Sequence, residues 1–170
     1  MHLIILPHEV LLDGRDLLKL RNSAPFLAGL KRPSRQRDIP MHPRGTRVAM
    51  VWDDIGLVAY EDRPAHQMSH LYFAFSPADT PEHPHQASCA TIEINGGIVT
   101  AEITERTLPR KGPTPISTDF AKHFVYETEA YGIDFLFGRQ PGPRGRGIVT
   151  SRLHAFAFSW RHAATSQQEK

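Results

Sequence analysis

Apolar and polar positions alternate with a period of two over most of the chain, which is the signature of half-buried strands. The pattern is clearest from Val48 to Ser76. There VAMVW reads as a strand, Asp53-Asp54-Ile55-Gly56 as a tight turn, Leu57–Tyr60 as a second strand, and Leu71–Phe75 as a third after a polar loop. Before it, Leu3–Leu6 reads as an edge strand ended by Pro7, and Glu9–Leu20 as a hairpin around Asp13-Gly14. Ser23–Leu30 reads as a short helix with Ser23 as N-cap and Pro25 in its first turn, and Lys31–Arg47 as a loop. After a proline-rich connector, Ser76–Gln86, a hairpin over Ala90–Glu105 turns at Asn95-Gly96-Gly97. Ser117–Phe124 reads as a second short helix, Phe124–Phe137 as two strands, and Ile148–Trp160 as the last strand.

The pattern repeats. The letters FAFS occur at 73–76 and again at 156–159. Gly14 and Gly96 lie 82 apart, the two helix segments 94, Gly56 and Gly132 76, and Phe73 and Phe156 83. Hairpin, short helix, strand-Gly-strand and FAFS strand thus recur in one order, which points to an internal duplication. The expected fold is α+β, in two similar halves, each an antiparallel β-meander with one short helix. Residues 1–80 form the first β-rich repeat, 81–162 the second, and 163–170 a polar tail, within a single compact domain.

The offsets also locate three insertions, around Lys31–Arg47, Arg106–Pro115 and Gly138–Gly147. These hold 12 of the 20 cations and one of the 18 acids, leaving 8 cations against 17 acids and a net −9 elsewhere, although the whole chain is only +2. Basic excursions on an acidic body suit an anionic partner surface. Arg32, Arg35, Arg37, Arg44, Arg110, Lys111, Arg144 and Arg146 are therefore the candidate partner-binding residues. The insertions contain no aromatic side chain to stack on bases, which disfavours nucleic acid. The single cysteine, Cys89, reads as a small buried residue. The apolar run Leu3–Leu6 is too short for a leader or a membrane span, so the expected location is cytoplasmic, with no membrane partner.

Candidate chemistry is sparse. Asp53 and Asp54, with Trp52 and Gly56, read as a structural turn, and so do Asn95 and Gly96. Ten histidines raise a metal-dependent hydrolase as an alternative, but His66 and His70 sit in a loop entering a strand, and His42, His83, His85 and His123 lack a ligand spacing. Neither G-x-S-x-G nor a P-loop occurs. No catalytic residue, metal ligand or cofactor is expected.

The stretch Val51-Trp52-Asp53-Asp54-Ile55-Gly56-Leu57 through Tyr60, with the later Ile92–Gly97 segment, resembles a family of uncharacterised bacterial domains with a WDD(I/L)G signature. Its members are often found among polymorphic-toxin and type VI secretion loci, where small partners act as immunity or adaptor proteins. The resemblance implies a non-catalytic binding protein that neutralises a toxin by direct contact, and the basic insertions add that this partner presents an acidic face. An anionic-ligand or nucleic-acid binder is the other alternative that the basic insertions raise.

Overall fold

The computed structural model describes residues 1–41, 45–76, 81, 83–104, 107–108, 114–117, 121–141 and 148–161. The chain is mostly β. Its elements run β1 (His2–Leu6), β2 (Glu9–Leu12), β3 (Arg15–Asp16), α1 (Ser23–Leu27), β4 (Arg35–Pro40), β5 (Thr46–Trp52), β6 (Leu57–Arg63), β7 (Gln67–Ala74), β8 (Thr91–Ile94), β9 (Gly97–Val99), β10 (Thr114–Ser117), β11 (Ala121–Glu127), β12 (Tyr131–Pro141) and β13 (Ile148–Trp160).

Two sheets result. The smaller has the order β3-β2-β1-β8-β9, and the larger β10-β11-β12-β13-β7-β6-β5-β4. In the larger sheet two four-stranded meanders meet where β7 and β13 pair antiparallel, and the two FAFS segments lie at that junction, with Phe156 opposite Phe73. Ala74 faces Ala155 and Tyr72 faces Ala157, so a shift of 83 residues maps this pairing onto itself. In the smaller sheet β1 and β8 pair parallel, each with its own hairpin partner outside it. The strand orders of both sheets therefore pair β1-β2 with β8-β9 and β4–β7 with β10–β13.

Several expectations change. Leu3–Leu6 is the centre of the smaller sheet rather than an edge, because β8 pairs with it from about ninety residues away. Ser117–Phe124 is not a helix: Ser117 ends β10, and Ala121 onward is β11, whose Phe124 faces the core as a period-two pattern requires. Among the described residues the one α-helix is α1, shorter than expected and capped by Asn22 in place of Ser23. Asn22 is extended (φ −71°, ψ 135°) and its side chain accepts from the Ala24 N–H at 3.0 Å. The Lys31–Arg47 segment contains β4, an edge strand guarded by charge and by Pro40. Cys89 is exposed. The turn anchors of the repeat shift by one hairpin, since Asp13-Gly14 joins β2 to β3 whereas Asn95-Gly96 joins β8 to β9. Both turns hold two residues at positive φ (49° and 78°, 50° and 82°), which Asp/Asn followed by Gly adopts at least cost.

The core lies between the sheets. Leu3, Ile5, Val10 and Leu12 of the smaller sheet belong to one cluster with Trp52, Leu57, Phe73, Phe156 and Phe158 of the larger. Polar tips of the core aromatics are satisfied by backbone: Trp160 Nε1 donates to the Leu17 carbonyl at 2.7 Å, Trp52 Nε1 to Lys31 at 2.7 Å, and the Tyr131 hydroxyl to Leu6 at 3.1 Å. Helix α1 packs Phe26 edge-on against Trp160 at 6.1 Å. Its start is tied down by buried Glu61, which bonds the Ser23 hydroxyl and His66 Nδ1, the latter at 2.9 Å.

Candidate functional site

With one face of the larger sheet committed to the core, period-two alternation sends the other set of side chains outward. Strand register aligns them in rows. One row runs across seven strands as Arg35, Val51, Val58, Tyr72, Ala157, Asp134 and Val125. The next runs Arg37, Ala49, Tyr60, His70, Ser159, Gly132 and Glu127. The β4 end of this face and its middle differ in chemistry.

At the β4–β6 end, Ala49, Val51 and Val58 form a small buried cluster with Ile39, Tyr60 and Tyr72 against it. Arg35 spans its border. Its Nε and Nη2 donate to Asp53 Oδ2 and Oδ1 at 3.0 and 2.7 Å, and Nη2 also reaches the His83 carbonyl at 2.8 Å. Asp53 additionally accepts from the His85 N–H at 2.9 Å, so the β5–β6 turn, the β4 edge and the connector share one clamp. The Arg35 guanidinium, outweighing burial and helped by the His85 N–H, holds the Asp53 carboxyl below its usual range. Arg47 makes a similar fork to Asp62 at 2.7 and 3.4 Å.

In the middle, across β7, β13 and β12, small residues (Ala157, Ser159, Gly132) lower the floor between larger polar ones. His123 Nδ1 lies 2.7 Å from Asp134 Oδ2, both side chains 24% exposed. Burial pushes the Asp134 carboxyl up, and His123 and the Phe124 backbone oppose this only in part. The other oxygen, Oδ1, is buried and makes no hydrogen bond of normal geometry. Burial, and then the charges of Tyr60 and Asp134, push the Tyr72 phenol far up, so it stays a neutral donor. His83 packs edge-on to Tyr72 at 5.6 Å, and Tyr60 likewise to His70 at 6.4 Å. Burial, then His83, pushes His154 down, which keeps that ring neutral near pH 7. The irregular pairing between Leu136 and Phe137 lets Leu153 face the core while Ala155 opposes Leu136, with His154 inserted between them.

Of the residues singled out from sequence, Arg35 is engaged within the chain, and Arg32 and Arg37 are exposed before and on β4. Arg44, Arg110, Lys111, Arg144 and Arg146 lie outside the described residues. Trp52 is buried at the end of β5, Asp53 and Asp54 occupy the following turn, and Gly56 holds φ +64° against the Ser88 backbone. Tyr60, His70, Tyr72, His123, Asp134 and His154 were not singled out as a group. Their polar letters alternate with core aromatics in KHFVYE and YGIDFLF, but only the β7–β13 pairing brings them together.

Among the described residues no group of three or more His, Cys, Asp or Glu is placed to hold a metal ion, and no helix is long and apolar enough to cross a membrane. A separate apolar cleft of about 490 Å³ opens between the smaller sheet and β12, walled by Ile5, Ile94, Val99, Ile133 and Phe135. Comparison with family models, with curated proteins and with solved structures finds no match for the chain.

Proposed function

We propose that the chain is a non-catalytic, immunity-like protein that neutralises a bacterial toxin by occupying it with the outer face of the eight-stranded sheet. The observation that carries this reading is the half-exposed set Tyr60, His70, Tyr72, His154, Asp134 and His123, gathered on a face whose reverse side is core. Such rings combine an apolar body with a polar tip and lose little side-chain freedom on docking, which is why they dominate the energetics of protein interfaces. Exposed Arg32 and Arg37 give this face a positive rim beside β4, suited to steering an acidic surface of the toxin into register. Arg44, Arg110, Lys111, Arg144 and Arg146, outside the described residues, are candidates for the same steering role on charge alone.

A tandem copy of one hairpin-plus-meander unit, joined near residues 80/81, accounts for the matching strand orders. It also accounts for the breadth of the face, since neither four-stranded meander spans the row from Tyr72 to Asp134. The action takes place in the cytoplasm, where an immunity protein meets its toxin.

The test is co-expression with the protein encoded beside this chain. Restored growth of a host making that neighbour, together with a co-purifying complex lost in Tyr60→Ala/His70→Ala, is the expected result. Full rescue by a folded double variant would overturn the assignment of this face. A hydrolytic second reading draws on the His123–Asp134 pair, a general-base geometry. Ester or amide turnover by the purified chain that vanishes in His123→Ala would favour it over binding.

A further inference from the structure

The centre of the outer face differs in charge from its rim. Asp134, Ala157 and Tyr72 are consecutive along one cross-sheet row, on β12, β13 and β7. Two inter-strand spacings separate the outer two residues, about 9.5 Å at the backbone. The residue between them has only a methyl group, so the gap is a slot with Ala157 as its half-exposed floor. One wall is a carboxylate, the other a phenol ring.

Three features of this slot ask for a donor. His123 takes Asp134 Oδ2 at 2.7 Å and the Phe124 backbone also acts on the carboxylate, but Oδ1 makes no hydrogen bond of normal geometry, and a buried acceptor in that condition is costly. The Asp134 side chain as a whole is 24% exposed, and the last torsion of an aspartate is soft, so an incoming donor can turn it and take one oxygen while His123 retains the other. Tyr72 feels the charges of both Asp134 and Tyr60, the latter diagonal to it on β6, so one electron-rich ring faces the carboxylate with a second behind it. Arg35, the cation on this row, sits three strands beyond Tyr72 and is committed to Asp53.

We propose that the slot bounded by Asp134, Ala157 and Tyr72 receives a guanidinium group, an arginine side chain of the bound protein. The inference rests on the binding role proposed for this face, and it adds that the toxin is anchored by a basic residue at the centre although its surface is acidic around it. A planar guanidinium satisfies both walls at once, donating to the carboxylate and stacking on the ring. An ammonium group can do the first but gains less from the flat wall.

The probe is Nα-acetyl-arginine methylamide, titrated into the intact chain with the side-chain NMR signals of His123, Tyr72 and Asp134 as readout. Saturable shifts of all three are expected, with the uncharged citrulline analogue at least about tenfold weaker. In Ala157→Leu, which fills the floor on a half-exposed strand position, the shifts should vanish while the fold is retained. Asp134→Asn should weaken binding by a similar factor. Equal shifts from citrulline, equal affinity for the acetyl-lysine analogue, or binding unchanged in Ala157→Leu would each overturn the assignment. The toxin complex separates the two levels. If the arginine probe fails while Tyr60→Ala/His70→Ala still abolishes the complex, only the slot is wrong. If the complex survives that double variant, the face itself is.

Discussion

Replacing Arg35 with methionine separates a clamp inside the fold from a partner-facing charge. Methionine retains most of the apolar stem, so the change removes the guanidinium with little loss of packing. What goes is the two-point contact with Asp53 at 3.0 and 2.7 Å and the bond to the His83 carbonyl at 2.8 Å. Hydrogen bonds to charged groups contribute about 1.5–3 kcal/mol each, but these share one side chain and do not add. Partial exposure, 30% for Arg35 and 22% for Asp53, screens them further. The net loss should be about 2–3 kcal/mol, equivalent to a fall in Tm of about 4–12 °C at this chain length. Urea and thermal denaturation measure it, with Arg32→Met as the control expected to stay within about 0.5 kcal/mol. Asp53 also gives a pH signature. Its carboxyl is depressed in the folded state, so the clamp's contribution is fully present above the ordinary value of 3.8 and is lost as pH falls through the folded one. The gap between wild type and Arg35→Met should therefore close in acid. A loss under about 0.5 kcal/mol, or a gap indifferent to pH, would refute the clamp.

Glu61→Gln should cost about 1–3 kcal/mol and raise amide exchange across α1, because the buried carboxylate ties Ser23 and His66 together. Burial pushes Glu61 up, but its bonds to Ser23 and His66 and the charge of Arg63 bring it below the usual range. Its stabilisation is thus present above the ordinary 4.5 and lost as pH falls through the folded value, and the variant should flatten that limb of the pH–stability curve. Gly56→Ala should cost more than about 2 kcal/mol, since the added methyl would lie 2.3 Å from the Ser88 backbone nitrogen at φ +64°. Equal urea midpoints for wild type and Gly56→Ala would contradict that packing.

Local chemistry was legible where it is decided locally. Asp13-Gly14, Asn95-Gly96 and the Asp53–Gly56 turn declare themselves, because few residues adopt positive φ at low cost. Alternation located most strands, and the repeated FAFS marked the two that meet at the centre of the larger sheet. Elements set by distant partners were not legible. β1 looks like an edge until β8 pairs with it, and capping letters at Ser117 and Thr118 mimic a helix start where tertiary pairing draws the following residues into β11. Charge misled in the same way. The run around Arg35 and Arg37 resembles a solvated loop, yet it contains a guarded edge strand whose Arg35 points to an internal carboxylate. The outer-face set escaped notice because Tyr72 and Asp134 are 62 residues apart in sequence and share a row only through β13.

Binding on the outer face of the eight-stranded sheet is tested head-on by a footprint of the complex with the protein encoded beside this chain. Side-chain labelling read by mass spectrometry, with and without that protein, would locate the contact. The expected result is protection of Tyr60, His70, Tyr72, His123 and His154, with Ile98 on the exposed edge of the smaller sheet unchanged. Protection confined to Ile98 and the cleft beside it, with the outer-face rings as reactive as in the free chain, would contradict the account.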